Sequence, residues 1–123
     1  MARDTLSNAK AEIVAELEAA QASFGGAPVF GYQPPVDHLN DGVAVCVFTV
    51  GATPTSWRIG VRLLITATVA AADAQALIDD WMPAVVAALS SHYGPEDWVT
   101  EFPTEDAPYY AATNVLEVGR EDF

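Results

Sequence analysis

Few residues in this chain have side chains that could do chemistry, and they are scattered. The two histidines are His38, which follows Asp37 in a loop-like stretch, and His92, which closes a helical run. The helix dipole stabilises a cation at a helix C-terminus, so His92 needs no functional explanation. A zinc site requires four well-spaced ligands, and neither histidine has a second histidine or a cysteine nearby. The sequence therefore predicts no metal site.

The end of that helical run contains the residue types of a hydrolase triad, in Ser90, Ser91, His92 and Asp97. A triad is defined by its geometry, and these residues are crowded into one helix end. The serines also lack the G-x-S-x-G turn that exposes a nucleophile. Polar residues that close a helix are the favoured interpretation.

Paired carboxylates occur at Asp79-Asp80 and at Glu105-Asp106, and such pairs can serve a glycosidase or a Mg²⁺ site. Adjacent residues of a helix point in different directions, so Asp79 and Asp80 do not converge on one ligand. Cys46 lies among valines, which is typical of a small core residue. We therefore predict no catalytic residue and no cofactor.

The chain is strongly acidic, because 17 Asp and Glu residues against 5 Lys and Arg residues give a formal net charge of −12. The bases are scattered and form no stripe of the kind that contacts phosphates. This distribution argues against direct nucleic-acid binding. Solubility is the simplest explanation of the acidity.

Arg58 and Arg62 share the polar face of a predicted strand in a chain with few other bases. Two interpretations stay open. The arginines can pair with carboxylates of their own chain, which contributes little to stability. Alternatively, they can meet an acidic loop of a neighbouring subunit, because arginine is favoured at interfaces. The predicted subunit interface consists of these two arginines together with Glu101, Glu105 and Asp106.

Two helices are predicted from apolar side chains at three- and four-residue spacing. The first spans about residues 4–22, with Asp4 or Thr5 as its cap and Gly25-Gly26 as its end. The second is capped by Asp73 and runs to about residue 92. It contains a proline at position 83, and we expect a kink or a short break there because proline lacks an amide donor.

Five segments are predicted to be strands. The first precedes a double proline and belongs at a sheet edge or in a loop. The second is almost continuously apolar, which indicates a covered strand, and the third alternates between apolar and polar residues. These two are expected to form a hairpin. The predicted strands span residues 28–32, 43–50, 57–69, 98–102 and 109–118.

The order helix, strand, strand, strand, helix, strand, strand predicts an α+β fold, α-β-β-β-α-β-β. Its sheet is expected to be largely antiparallel, with four to five strands and two helices packed on it. At 123 residues without a linker, the chain is predicted to be a single domain, 1–123. No stretch approaches the roughly 18 apolar residues of a membrane span. We expect a soluble intracellular protein that does not contact a membrane.

Taken together, these features resemble the tail-terminator (tail-completion) proteins of long-tailed phages, especially those of actinobacterial hosts. The resemblance covers most of the chain. It rests on the N-terminal helix, the segment 28–35, the strand pair ending in 57–69, the helix 74–89 and the two closing strands. The resemblance is in the order, length and apolar–polar pattern of the elements, and it assigns no role to single residues.

The resemblance implies a structural virion protein that is not an enzyme and needs no cofactor. The expected assembly is a homo-oligomer, a hexameric ring that caps the tail tube, ends its polymerisation and joins the tail tube protein to the head-tail connector protein. The ring is expected at the head-proximal end of the virion tail, after assembly in the host cytoplasm. DNA would pass through it without being specifically bound, because acidic lumen walls repel phosphate.

Two alternatives stay open. A head-tail connector stopper or a tail tube subunit would have a similar texture. A small ligand-binding or enzymatic α+β domain would instead need a concave pocket between the 57–69 strand and the second helix, with convergent polar groups in it.

Overall fold

The computed structural model describes residues 5–32, 42–67, 69–90, 98–103 and 109–119. Its elements follow the predicted order, with a short 3-10 turn added after the first helix. The elements are α1 (Leu6–Ala19), the 3-10 turn (Gln21–Phe24), β1 (Val29–Phe30), β2 (Val43–Ala52), β3 (Ser56–Thr66), α2 (Ala71–Ser90), β4 (Val99–Glu101) and β5 (Tyr109–Gly119). The prediction of an α+β fold, with two helices and a mostly antiparallel sheet, is confirmed.

The start of α1 is fixed by a side-chain cap. Thr5 has extended backbone dihedrals, and its Oγ1 accepts a hydrogen bond from the amide of Asn8 at 3.1 Å. This satisfies one of the amide groups that a helix leaves without an internal partner. Of the two predicted caps, Thr5 is confirmed, and Asp4 lies outside the described residues.

The glycines predicted to end the first helix at about residue 22 instead end the 3-10 turn, because α1 itself stops at Ala19. Gly25 and Gly26 both have a φ of 71°, a left-handed conformation in which a Cβ is strained. Gly25 also lies against the indole of Trp81 in α2, where an added Cβ would come within 2.8 Å of Trp81 Cη2. The turn packs closely against α2 because residue 25 has no side chain.

The five strands form one sheet in the order β1-β2-β3-β5-β4. Its long central strands and β4 pair in antiparallel fashion. In contrast, β1 runs parallel to β2, with Val29 opposite Val45. The sheet is therefore mixed, and β1 lies at its edge as predicted.

The strands β2 and β3 form the predicted hairpin, but its limits differ from the prediction. β2 continues to Ala52, and β3 ends at Thr66 instead of residue 69. The turn between them is held by Thr53, whose amide donates to the carbonyl of Ser56 at 2.8 Å. The Ser56 amide in turn donates to Thr53 Oγ1 at 3.0 Å. These bonds close the hairpin tightly enough for pairing to extend to Ala52 and Trp57.

One face of the sheet carries both helices and the main core. Residues of β2, β3 and β5 alternate, so that every second side chain faces the helices. The fully buried side chains of this core come from both helices and from the sheet. Examples are Ile13, Leu17, Val45, Val61, Leu63, Ile78, Met82, Val85 and Leu116.

A second, smaller cluster lies on the opposite face, which is called the open face below because no described helix packs on it. Its buried members are Ala44, Cys46, Leu64 and Ala111. Directly opposed residues of neighbouring strands share a face, and Leu64 lies opposite both Ala44 and Ala111. Aromatic side chains of Phe30, Phe48 and Tyr109 pack against this cluster. The aromatic rings thus cover the small side chains of Ala44, Cys46 and Ala111 on this face.

The second helix differs from its prediction in two respects. It begins at Ala71, so Asp73 is not the cap but lies in the first turn, where the helix dipole favours a carboxylate. It also continues through Pro83 as one helix, so of the kink or short break predicted there the break does not occur, and the kink stays a prediction. Buried residues on both sides of the proline, Ile78 and Val85, hold the two halves of α2 on the sheet. Packing therefore outweighs the hydrogen bond that proline removes.

Within the described residues, neither helix combines the length and the apolar content needed to cross a membrane.

Candidate interaction surface

Arg62 lies at the centre of a set of contacts on the open face. Its guanidinium carbon is 4.6 Å from the centroid of the Phe48 ring, a distance suited to a cation–π interaction. Its Nε donates to Thr113 Oγ1 at 2.8 Å. Its Nη2 is 4.0 Å from Glu101 Oε2, at the outer limit of an ion pair. With only 17% of its side chain exposed, Arg62 is a structural part of the open face.

The contact between Arg62 and Phe48 depends on a glycine. Gly60 lies directly opposite Phe48 in the hairpin, and an added Cβ would come within 2.6 Å of Phe48 Cε2. The Phe48 ring therefore occupies the space that a side chain at position 60 would need. Gly60 keeps the ring where Arg62 can stack on it.

The other predicted interface arginine, Arg58, has different surroundings. It is exposed on the same face of β3. Among the described residues, no carboxylate lies within ion-pair distance of it. Glu117 is opposite Arg58 in β5, but its Oε1 accepts a hydrogen bond from Ser56 Oγ at 3.0 Å. Arg58 thus keeps an exposed charge, and its role at a subunit interface stays a prediction.

The structure brings only part of the predicted interface together. Glu101 contacts Arg62 of its own chain, which is the local alternative considered for the arginines. Glu105 and Asp106 lie outside the described residues. The sequence singled out Arg62 as one of few bases, but it has no local signal for the contacts of Arg62 with Phe48 and Thr113.

Cys46 lies directly opposite Arg62 and is fully buried. Burial raises the pKa of the Cys46 thiol from 9.0 to about 12, and the nearby charge of Arg62 opposes this only in part. A thiol with so high a pKa is a weak nucleophile at neutral pH. Cys46 is a core residue of the open face, as predicted.

The other residues considered for chemistry do not assemble into a site in the described part of the chain. Asp79 and Asp80 are both exposed, and Asp79 Oδ1 accepts a hydrogen bond from Gln75 Nε2 at 3.2 Å. Residues 91–97, and with them His92, lie outside the described residues, as does His38. Across the ranges that are described, no three His, Cys, Asp or Glu side chains converge as a metal ion would require.

No protein-family model matches this chain, and no curated protein matches it either.

The two edges of the sheet differ from the helices in their exposed side chains. In the described residues, the exposed large apolar side chains gather at these edges instead of on the helices. Tyr32 follows β1, and Val50 lies in the part of β2 that extends beyond β1. At the opposite edge, Trp98 precedes β4, Val99 begins it, and Phe102 follows it. These five exposed residues are Tyr32, Val50, Trp98, Val99 and Phe102.

A groove opens beside the β1–β2 edge, on the helix side of the sheet. It has a volume of about 610 Å³ and lies between α1 and the strands. Leu6 and Val14 of α1 supply apolar surface, and Gly31 and Thr49 form the wall toward the sheet. Lys10 and Glu18 of α1 supply opposite charges. Because the groove is open and adjoins exposed strand backbone, it suits an extended segment better than an enclosed small molecule.

The β1–β2 edge is nearly free of charge, although the chain is strongly acidic, whereas β4 lies in the acidic stretch 96–106. Residues 19–36 and 42–57, which contain β1 and β2, have no charged side chain. In β4 the charged residue is Glu101, whose carboxylate faces Arg62. These uncharged runs are the sequence signal that could have located the surface. The predicted interface was based on Arg58 and Arg62 instead.

Proposed function

We propose that this protein is a tail terminator of a long-tailed phage. In this proposal, copies of the chain form a ring that caps the tail tube, ends its polymerisation and joins it to the head-side connector. The observation that carries the proposal is the concentration of exposed apolar side chains at the two opposite edges of one sheet. Exposed strand edges can pair with another chain, and exposed apolar patches commonly mark interaction sites.

Two different edges suit a ring better than a simple two-fold dimer. A two-fold dimer uses the same patch on both subunits, whereas two unlike patches give a head-to-tail contact, which forms a ring where the rotation between copies closes. The element order and residue pattern, which resemble those of tail terminators, are consistent with ring assembly. The acidity also fits, since a lumen lined by carboxylates lets DNA pass without sticking.

A connector stopper and a tail tube subunit require similar contacts between copies, and they remain the nearest competitors. The ligand-binding or enzymatic alternative has less support. Its expected pocket lay between the 57–69 strand and α2, where Ile78, Met82 and Val85 are buried against the sheet. The open groove instead lies between α1 and the β1–β2 edge, away from the position that this alternative predicts.

The proposal is tested by adding the purified protein to polymerising tail tube protein from the same genome. Light scattering coupled to size-exclusion chromatography measures its own mass, and electron microscopy measures tube length. A terminator should form rings, alone or on tube ends, and stop tube growth. A tube subunit would lengthen tubes, and a stopper would bind the connector without binding tubes. A strict monomer that leaves tube growth unchanged would overturn the proposal.

A further inference from the structure

We propose that β4 is a releasable strand, which detaches from β5 while the rest of the sheet stays folded, and that the contact of Glu101 with Arg62 acts as its latch. This inference goes beyond the proposed function and does not depend on it, because it concerns the single folded chain. It identifies the element whose pairing can change without unfolding of the core.

The attachment of β4 to the sheet is short. Its residues Val99–Glu101 pair with residues 111–113 of β5, whereas β5 pairs with β3 over eleven positions. In the order of the described strands β4 stands last, and β5 is the one described strand beside it. Release of β4 therefore breaks one short ladder and leaves the pairing of β2, β3 and β5 intact.

The side chains of β4 also contribute little to the core. Val99 is 65% exposed, Glu101 is exposed, and Thr100 is half-buried. None of these three residues belongs to the main core or to the smaller cluster of the open face. The strand at the other edge differs, because β1 packs Val29 on the main core and Phe30 on that cluster. Segments with few buried apolar contacts open at a lower free energy than the core, so β4 should open more readily than β1.

Two side-chain contacts hold β4 and the residue after it. Arg62 Nη2 is 4.0 Å from Glu101 Oε2, and the Phe102 ring meets the Tyr110 ring edge-to-face with centroids 6.5 Å apart. Arg62 is positioned by its contacts with β2 and β5, so it keeps its place when β4 leaves. The carboxylate of Glu101 is 56% exposed, and an ion pair so exposed to water is weak. Arg62 is thus a fixed catch that a small change in free energy can open.

Release of β4 uncovers backbone groups of β5. The residues in the stretch 111–113 that point away from β3 lose their partners when β4 detaches. A strand edge with unpaired amide and carbonyl groups can pair with a strand of another chain. The closed position of β4 therefore withholds this part of β5 from other chains.

Amide hydrogen exchange of the wild-type protein, measured by NMR, tests the release. β5 contains its own control, because successive residues of a strand direct their amides to opposite neighbours. Within residues 111–113, amides that donate to β4 should exchange at least about a hundredfold faster than amides that donate to β3. The amides that join β2 to β3 should be as slow as the second group. Equal rates on the two sides of β5 would overturn the proposal.

The latch is tested by comparing Glu101→Gln with Glu117→Gln. Both variants neutralise an exposed carboxylate, but Glu117 lies opposite Arg58 and accepts a hydrogen bond from Ser56, away from β4. Glu101→Gln should speed exchange of the β4-facing amides about two- to fivefold, because it removes the charge that meets Arg62. It should leave the amides between β2 and β3 unchanged, and Glu117→Gln should leave both groups unchanged. Equal effects of the two variants, or no effect of Glu101→Gln, would show that Arg62 is not the latch and would overturn the proposal.

Discussion

At the scale of single residues, Arg62 is a charge with contacts to several strands. It stacks on Phe48, donates to Thr113 and approaches Glu101, which joins β2, β3, β5 and β4 through one side chain. A lysine has no planar group to stack in this way and cannot reproduce the arrangement. Arg62 therefore serves the fold of the open face, whereas Arg58, on the same strand, remains exposed.

The two arginines provide a matched pair for measuring this difference. Arg62→Ala should lower the free energy of unfolding by about 2 kcal/mol, because it removes a cation–π contact and a hydrogen bond from a charged donor. Arg58→Ala should change it little, since surface substitutions without specific contacts are nearly neutral. Urea unfolding of both variants measures the effect. Equal losses in the two would contradict the structural role of Arg62.

Cys46 should make stability depend on pH in the alkaline range. Its folded pKa of about 12 lies above the ordinary 9.0, so the folded state retains a proton that the unfolded state releases between these values. The stabilisation is complete below about pH 9 and decreases as pH rises toward 12, by at most about 1.4 kcal/mol per pH unit. Unfolding of the wild type and of Cys46→Ala from about pH 8 to about pH 10.5 isolates this contribution. The wild type should show the steeper decline, and parallel curves would contradict the assignment.

At the scale of elements, the close packing of the 3-10 turn on α2 depends on a glycine at position 25. Gly25 and Gly26 have the same φ of 71°, but only at Gly25 would a Cβ meet the Trp81 ring, whereas Gly26 has open space. This pair separates backbone strain from packing. A side chain at either position would be strained by the positive φ, but only a side chain at position 25 would also clash with Trp81.

Gly26→Ala should cost about 1 kcal/mol, the strain of a left-handed alanine. Gly25→Ala should cost about 2 to 4 kcal/mol, since overpacking against Trp81 adds to the same strain. Thermal and urea unfolding measure both values. Intrinsic fluorescence, to which Trp81 contributes together with the two other tryptophans of the chain, should shift only in Gly25→Ala. A shift of similar size in Gly26→Ala would exclude the contact as the cause.

The sequence predicted the elements more accurately than their contacts. Periodicity and glycine signals located both helices and all five strands, because those signals are local. The parallel direction of β1 could not be predicted, since two residues carry no signal of direction. The uninterrupted passage of α2 through Pro83 was also missed. It depends on burial of residues on both sides of the proline, and burial is set by tertiary packing. The surroundings of Arg62 come from three other strands and likewise have no local signal.

At the scale of the whole molecule, charge and apolar surface are separated. The net charge is −12, yet the exposed large apolar residues in the described chain lie at the two edges of the sheet, and the strands of the β1–β2 edge carry no charged side chain. Copies of the protein therefore repel each other over most of their surface and can attract through the edges. The balance between the two effects should depend on ionic strength.

Salt should strengthen self-association. Screening weakens the repulsion between acidic surfaces and leaves apolar edge contacts intact, so the dissociation constant should fall as NaCl rises from about 20 mM to about 300 mM. Analytical ultracentrifugation at several salt concentrations measures this trend. If pairs between Arg58 or Arg62 and a neighbour's carboxylates dominate instead, salt should weaken association. The sign of the trend thus decides between apolar and ionic interfaces.

The position of β5 beside β3 has a consequence for how the chain folds during synthesis. The contacts between these two strands join residues far apart in sequence, such as Arg62 with Thr113, 51 residues away, and Ser56 with Glu117, 61 residues away. At a translation rate of about 5 to 20 residues per second, β3 is exposed for roughly 3 to 10 seconds before β5 emerges. During that time the β2–β3 hairpin has an open apolar side. Closure of the sheet is therefore a late, non-local and slow step, and the nascent chain is most vulnerable to aggregation just before it.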